Sequence, residues 1–472
     1  MIKSIFTNSF GILFSRILGF LRDMLQASIL GANIYTDIFI VAFKLPNLFR
    51  RIFAEGAFTQ SFLPSFTASK QKGVFSAAIF TKFALFLLFF SLAVTLFSNF
   101  FTQLIASGFS EAIIQEAAPL VAINFYYLIL IFSVTFLASL LQYKNHFATT
   151  AFSTALLNIA LIFALLYSQD MDKKTIIYHM SYAVIIGGIM QVLVHVIMIR
   201  KLHLHKFLLG GFGALNAKKK RVQNEIKSFK GKFFASTLGS STAQLSAFLD
   251  GWLASFLISG SISYLYYANR IFQFPLALFA IATSVAIFPK VARYLKHEDF
   301  DKAHTILRKS FWFLATILTL ATIVGILFSK EIVWLLYERG AFTAQDSQNT
   351  AFILSMYLIG LLPYGLSRIF SLWLYSTHRQ KEAAKISALS LGANIILSLT
   401  LVYTYKAAGL ALASSLSGFV LFVLTIRAFG TQAFLDIIKS KQLVYLVVFT
   451  VLFTIMIVTL KENFSAYLQF SK

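Results

Sequence analysis

Runs of apolar residues recur along the whole chain, each near the length of about 20 residues that a helix needs to cross the hydrocarbon core of a bilayer. They fall near 5–30, 34–60, 77–101, 117–142, 149–168 and 178–200, then near 232–258, 263–288, 310–329, 349–374, 384–404, 407–427 and 442–460. The runs are continuous. A transmembrane barrel would instead alternate apolar and polar positions in segments of about ten residues. The pattern predicts an all-α polytopic membrane protein with 13 transmembrane helices. No stretch between the runs has room for a soluble domain. Residues 1–20 begin with a short charged start but lack a small-residue cleavage site before Arg22, so they read as the first span and not as a cleavable signal.

Composition agrees. Of 472 residues, 58% are hydrophobic, 12% are charged and none is cysteine. A soluble domain carries about 25% charged residues. The low charge, with a mean hydropathy of +0.77, excludes a soluble globular protein and a disordered one. The lack of cysteine excludes disulfide scaffolds and thiolate metal sites. The 41 Lys+Arg against 18 Asp+Glu leave a formal charge of +23. With the N-terminus in the cytoplasm, 30 basic residues fall on the cytoplasmic side, 7 on the other and 4 (Arg16, Arg22, Arg270 and Arg368) within spans. This is the positive-inside bias, and it holds along the whole chain. The charge therefore reports topology rather than a nucleic-acid partner.

The longest inter-span stretch, 201–231, is basic and rich in glycine, and reads as a cytoplasmic connector. A helix on the membrane surface and a purely topological role both fit it. It divides the chain into an N-terminal lobe (1–200, six spans), a C-terminal lobe (232–427, six spans) and an extra span with its tail (428–472). At a shift of 227 residues, Asp23, Ala27, Ser28 and Leu30 align with Asp250, Ala254, Ser255 and Leu257. A proline-interrupted span follows each (Pro46 and Pro275). Paired, interrupted spans in matching positions point to a transporter's central site.

A charge at the bilayer centre costs about 2.5–3.5 kcal/mol on insertion scales, so it faces a cavity or a partner. Ser9, Arg16, Gly19, Asp23 and Gln26 share one face of the first span, with Arg22 beside it. Asp37, Lys44, Arg51 and Glu55 share one face of the second, and Arg50 lies off it. Asn269, Arg270 and Gln273 interrupt the eighth just before Pro275. Internal ion pairs such as Arg22 with Asp23 or Arg51 with Glu55 are one reading. Snorkelling suits Arg50, Arg51 and Arg368 near helix ends. An anion site is the other reading for Arg16, Arg22 and Arg270. Arginine suits phosphate because its planar fork donates two hydrogen bonds at once and stays charged when buried. Asp250 is the sole acid of the seventh span, among Ser240, Gln244 and Ser246. His195 reads as a satisfied bundle residue. No metal motif, P-loop, Rossmann fingerprint or nucleophile elbow is present, so the chain reads as a non-enzyme without a cofactor.

The run Ser15-Arg16-Ile17-Leu18-Gly19-Phe20-Leu21-Arg22-Asp23, then Thr36-Asp37 and Val41 through Phe58 with Lys44-Leu45-Pro46-Asn47, resemble the MurJ (MviN) family of bacterial lipid II flippases. Tyr266-Tyr267-Ala268-Asn269-Arg270, Tyr337 through Phe342 and Ala408 through Ala413 extend the resemblance. It implies the fold of the multidrug/oligosaccharidyl-lipid/polysaccharide exporter superfamily, with two six-helix lobes around a cationic cavity and a C-terminal lipid-facing groove. It implies lipid II as substrate, with its pyrophosphate bound by Arg16, Arg22, Arg50 and Arg270, and a role for the acids Asp23, Asp37 and Glu55. Arg51 and Asn269 complete the expected binding set. A coupling cation, Na+ or H+, would sit at Asp250 with Asn394, Ser398 and Ser414.

Two departures stand out. The family typically has fourteen spans, so the groove helices are expected to be shortened. Many members carry Asp where this chain has Asn269, which leaves Arg270 less neutralised.

The expected function is a lipid II flippase of the bacterial inner membrane, in contact with membrane lipids and wall-synthesis proteins and working by alternating access. An exporter of another polyprenyl-linked saccharide, a multidrug/cation antiporter of the same superfamily and a non-transporting scaffold are the alternatives. A polytopic glycosyltransferase would need a loop carboxylate cluster with a metal, and the loops here are basic.

Overall fold

The computed structural model describes residues 2–54, 57–240, 242–439 and 441–470. Within them it leaves out the side chains of residues 2–9, 49–54, 57, 219, 235–236, 238–240, 242–245, 247 and 463–470. Every described element is helical. Among the described residues, each of the thirteen predicted runs overlaps one or more of these helices. Among the described residues, nine helices are long and apolar enough to cross a membrane. One of them, Gln380–Phe429, covers two predicted runs. The tally of thirteen spans stays an expectation.

The helix boundaries follow from local chemistry. The second helix, Ile34–Ala54, starts where the Asn33 side chain accepts the backbone N–H of Tyr35 at 2.9 Å. Asp172 caps Lys173–Lys201 by accepting the Thr175 N–H at 3.0 Å. Thr343 and Asp346 form a reciprocal capping box at the start of Ala344–Leu358. Pro275 ends Ser261–Pro275, and one π-helical turn, Leu276–Ile281, follows before the helix resumes at Ala282. Proline has no N–H to donate, so the ladder shifts register there. The 50-residue stretch Gln380–Phe429 is broken at Lys406 (φ 51°, ψ −131°), which is the split predicted between the eleventh and twelfth spans.

Contacts divide the chain into two compact units. The first holds Met1–Ser263 with Arg339–Phe342, and the second holds Tyr264–Glu338 with Thr343–Lys472. The seventh predicted span thus groups with the first unit, whereas the sequence-based lobes part at the connector.

In the first unit, Ala148–Tyr167 packs between the first helix, Ile2–Leu30, and Lys173–Lys201. A cluster of phenylalanines fills the space between Ala57–Ala68, Lys72–Leu96, Tyr127–Tyr143 and Gln223–Ser240. Phe58, Phe62, Phe75, Phe132, Phe136 and Phe229 are its fully buried members. In the second unit, Leu361–Ser376 packs against both Gln380–Phe429 and Phe300–Leu327. The last helix, Lys441–Phe470, has none of its apolar window buried. It is tied to the unit through Lys461, which pairs with Glu331 at 3.0 Å and lies over the Phe328 ring.

Candidate functional site

The first helix places Arg22 and Asp23 side by side, both buried. The Arg22 guanidinium donates to Asp23 Oδ1 from Nη2 at 2.5 Å and from Nε at 3.1 Å. Its Nη1 donates to Asn158 Oδ1 at 3.1 Å. Asn158 in turn donates from Nδ2 to the Ser15 carbonyl at 3.1 Å. The Asn158 amide packs directly against Gly19 on the facing helix. The sequence reading anticipated Arg22 and its pairing with Asp23 but missed Asn158. Its signal was the single amide side chain in the run 149–168, whose other polar members carry only hydroxyls. Arg16, one turn and a half earlier, is exposed, while Gln26 is buried beside Ala27.

Asp37 is buried and its carboxylate is fully engaged. It accepts the Gly260 N–H at 2.7 Å, the Ser263 N–H at 2.8 Å and the Ser263 hydroxyl at 2.5 Å. These are the first backbone donors of Ser261–Pro275, which have no partner inside their own helix. Asp37 therefore acts as a remote cap, and the negative charge complements the positive helix end. About two turns further along the same helix come Asn269 and Arg270.

Nearby, the chain closes a second link within the first unit. Gly31 has φ +74°, and a Cβ there would strike the Ala341 carbonyl. The Ala341 N–H donates to the Ser28 carbonyl at 2.7 Å. This tight approach holds the Arg339–Phe342 segment against the end of the first helix.

Lys44, on the second helix, donates to the Phe248 carbonyl at 3.0 Å and lies 5.3 Å from the Phe248 ring centroid. It is also near enough to Asp250 for the two charges to attract. Gly251 leaves the space that the ammonium fills. The sequence reading treated Lys44 and Asp250 separately; the fold makes them neighbours.

The side chains of Ser9, Ser240, Gln244, Arg50 and Arg51, and residue Glu55 altogether, lie outside the described residues.

In the second unit, Arg270 donates from Nη2 to the Tyr266 hydroxyl at 3.0 Å and lies over that ring, 5.1 Å from its centroid. The two are one helical turn apart, so the helix itself provides this support. Asn269, likewise, accepts from Gln273 one turn on. Asn394 is buried and donates to Ser414 Oγ at 3.3 Å. Ser398 is buried on the same face, one turn from Asn394, and its hydroxyl has no hydrogen-bond partner among the described residues. Asp250 belongs to the first unit and these three residues to the second.

Each unit thus carries a braced arginine: Arg22 held by a carboxylate and an amide in the first, Arg270 by a phenol in the second. The profile of the family described as "Lipid II flippase MurJ" matches residues 26–472. The chain belongs to the lipid II flippase MurJ family. It is 50% identical over 426 residues to a "Probable lipid II flippase MurJ" of Helicobacter pylori, covering 89% of this chain and 92% of that one. A protein of the same description from Buchnera aphidicola subsp. Schizaphis graminum is 31% identical over 477 residues, covering 99% and 90%.

Among solved structures, a lipid II flippase MurJ in an inward closed conformation aligns with a TM-score of 0.78 at 24% identity, over 98% of this chain and 99% of that one. An inward-facing multidrug resistance MATE family transporter of the MOP superfamily aligns with a TM-score of 0.72 at 10% identity, over 90% and 96%. These two likenesses establish the fold, as the sequence reading anticipated.

Proposed function

We infer that the chain is a lipid II flippase of the bacterial inner membrane. The observation that carries this reading is membership in the lipid II flippase MurJ family over 26–472, together with a buried arginine held ready in the first helix.

The finer mechanism is our proposal. The pyrophosphate of lipid II enters from the cytoplasmic leaflet and competes with Asp23 for the Arg22 guanidinium. Arg22 offers a planar fork already oriented by Asn158, so little side-chain freedom is lost on binding. Arg270, less neutralised because residue 269 is Asn, supplies a second positive group. Binding relieves repulsion among Arg22, Arg50 and Arg270, and alternating access then releases the lipid to the outer leaflet. The protein breaks no covalent bond of the substrate. The N-terminus lies in the cytoplasm, as the distribution of Lys and Arg supports.

A coupling cation, Na+ or H+, is part of this proposal. The Asn394 amide oxygen and the Ser398 and Ser414 hydroxyls are oxygen donors of the kind that a hard cation takes. Lys44 is a rival for the charge of Asp250, and the two roles make opposite predictions when Lys44 is replaced.

Replacing Arg270 by Glu tests the reading in cells. The variant is expected to reach the membrane at normal abundance and to fail to support wall synthesis when it is the sole copy. Normal growth on that variant would remove Arg270 from the mechanism.

A further inference from the structure

The basic connector is not a loose linker. Leu204–Gly213 packs on Lys72–Leu96, where Gly211 meets Gly73 so closely that a Cβ at Gly211 would strike the Gly73 backbone. That contact fixes the rotation of the short helix. Leu204, Leu208 and Gly211 turn inward, and Lys206 and Leu209 turn out. Gln223–Ser240 is fixed by burial: Ile226, Phe229 and Phe233, with Val222 just before the helix, enter the phenylalanine cluster. At about 100° per residue, Lys227, Lys230 and Phe234 then share the outward side.

The result is an exposed surface of one sign. Lys206, Lys218, Lys220, Arg221, Lys227 and Lys230 are all exposed. Glu225 is the only acid in 204–232, and its carboxylate already accepts the Ser69 hydroxyl at 2.8 Å. Beside the cations stand large apolar side chains in the open: Leu209 is 67% exposed and Phe234 is 63% exposed.

Basic residues that only set orientation need to be near span ends and need no apolar neighbours. Rigid helices that present cations and apolar side chains together match the interfacial zone of an anionic membrane. We propose that the outward face of 204–234 is a docking surface for anionic phospholipid headgroups, with Leu209 and Phe234 entering the acyl boundary. Each basic side chain contributes about fivefold to partition toward an anionic surface. This inference does not rest on lipid II transport.

The chain has no cysteine, so Leu209→Cys gives a single labelling site in the full-length protein. The label is an environment-sensitive fluorophore, read in nanodiscs of phosphatidylcholine with or without phosphatidylglycerol. Phosphatidylglycerol should shift the emission to the blue, and raising the salt should reverse the shift by screening. A variant with Lys218, Lys220, Arg221 and Lys227 all changed to Gln should lose it, and the corresponding all-Arg variant should keep it. Three outcomes would overturn the proposal: equal emission in both disc types, a shift that high salt leaves intact, or the same shift produced in neutral discs by an acidic peptide.

Discussion

Asn158 holds Arg22 from the opposite side to Asp23, with its side-chain oxygen 3.1 Å from the guanidinium. One amide on a neighbouring helix therefore decides where the positive group of the first helix points. A carboxylate alone would let the guanidinium follow it; two acceptors on two helices fix the plane of the fork.

Replacing Asn158 by Ala should loosen that plane while leaving the charge. A hydrogen bond to an ionised group contributes about 1.5–3 kcal/mol, so lipid II translocation should fall by about tenfold or more. Asn158→Asp should slow it as well, because a second carboxylate neutralises Arg22. Rates measured in proteoliposomes check both. If Asn158→Ala flips at the parental rate, the amide has no part in positioning Arg22.

Asp37 serves two backbone donors and one hydroxyl at the start of Ser261–Pro275. Asp37→Ala should lower thermal stability by about 1–3 kcal/mol for each buried donor left unmet. Hydrogen exchange should rise at Gly260 and Ser263 before it rises elsewhere. Asp37→Asn, which keeps one acceptor oxygen, should fall between the parent and the alanine variant.

Lys44 and Asp250 should be energetically coupled. In a double-mutant cycle with Lys44→Met and Asp250→Asn, the coupling energy should be about 0.5–3 kcal/mol, and the double variant should be more stable than the two single losses would add up to. Thermal unfolding in detergent measures it. If Lys44 supplies the charge that Asp250 needs, Lys44→Met makes transport respond to added Na+ where the parent does not. A parent already dependent on Na+ would favour the metal instead.

At the exposed start of Lys173–Lys201, the Thr175 hydroxyl at 2.6 Å, with the Thr175 N–H behind it, holds the Asp172 carboxyl below the usual carboxylate range. A depressed folded value means that the cap stabilises the helix above the carboxylate's ordinary range. That contribution is lost as pH falls through the depressed value. The protection factor at Thr175, the intrinsic exchange rate divided by the observed rate at the same pH, should therefore fall on acidification, and Asp172→Asn should flatten that dependence.

The spans were legible because an apolar run of about 20 residues has few other uses. The intramembrane arginines were legible for the converse reason: burying an uncompensated charge is costly, so its presence marks a partner or a cavity. What remained hidden is the choice of partner. Nothing local says that Asp37 meets Gly260 and Ser263, which are more than two hundred positions away. Lys44 and Asp250 were each visible as isolated charges, but only the packing of the second helix against Thr242–Ala254 brings them together. The connector was legible as basic. Its docking was not, because Phe229 and Phe233 resemble any other phenylalanines in a chain that has 53.

The most direct measurement is translocation of fluorescent lipid II across proteoliposomes by the parent chain and by Arg22→Ala and Arg270→Ala. The parent should move lipid II from one leaflet to the other. Each variant should reconstitute in the membrane while losing most of the transport; Arg270→Ala should melt near the parental temperature, and Arg22→Ala should melt lower because it removes the ion-pair partner of buried Asp23. A parent that leaves lipid II in place, or two variants that transport it at the parental rate, would contradict the assignment of the arginines as the pyrophosphate-binding groups of a lipid II flippase.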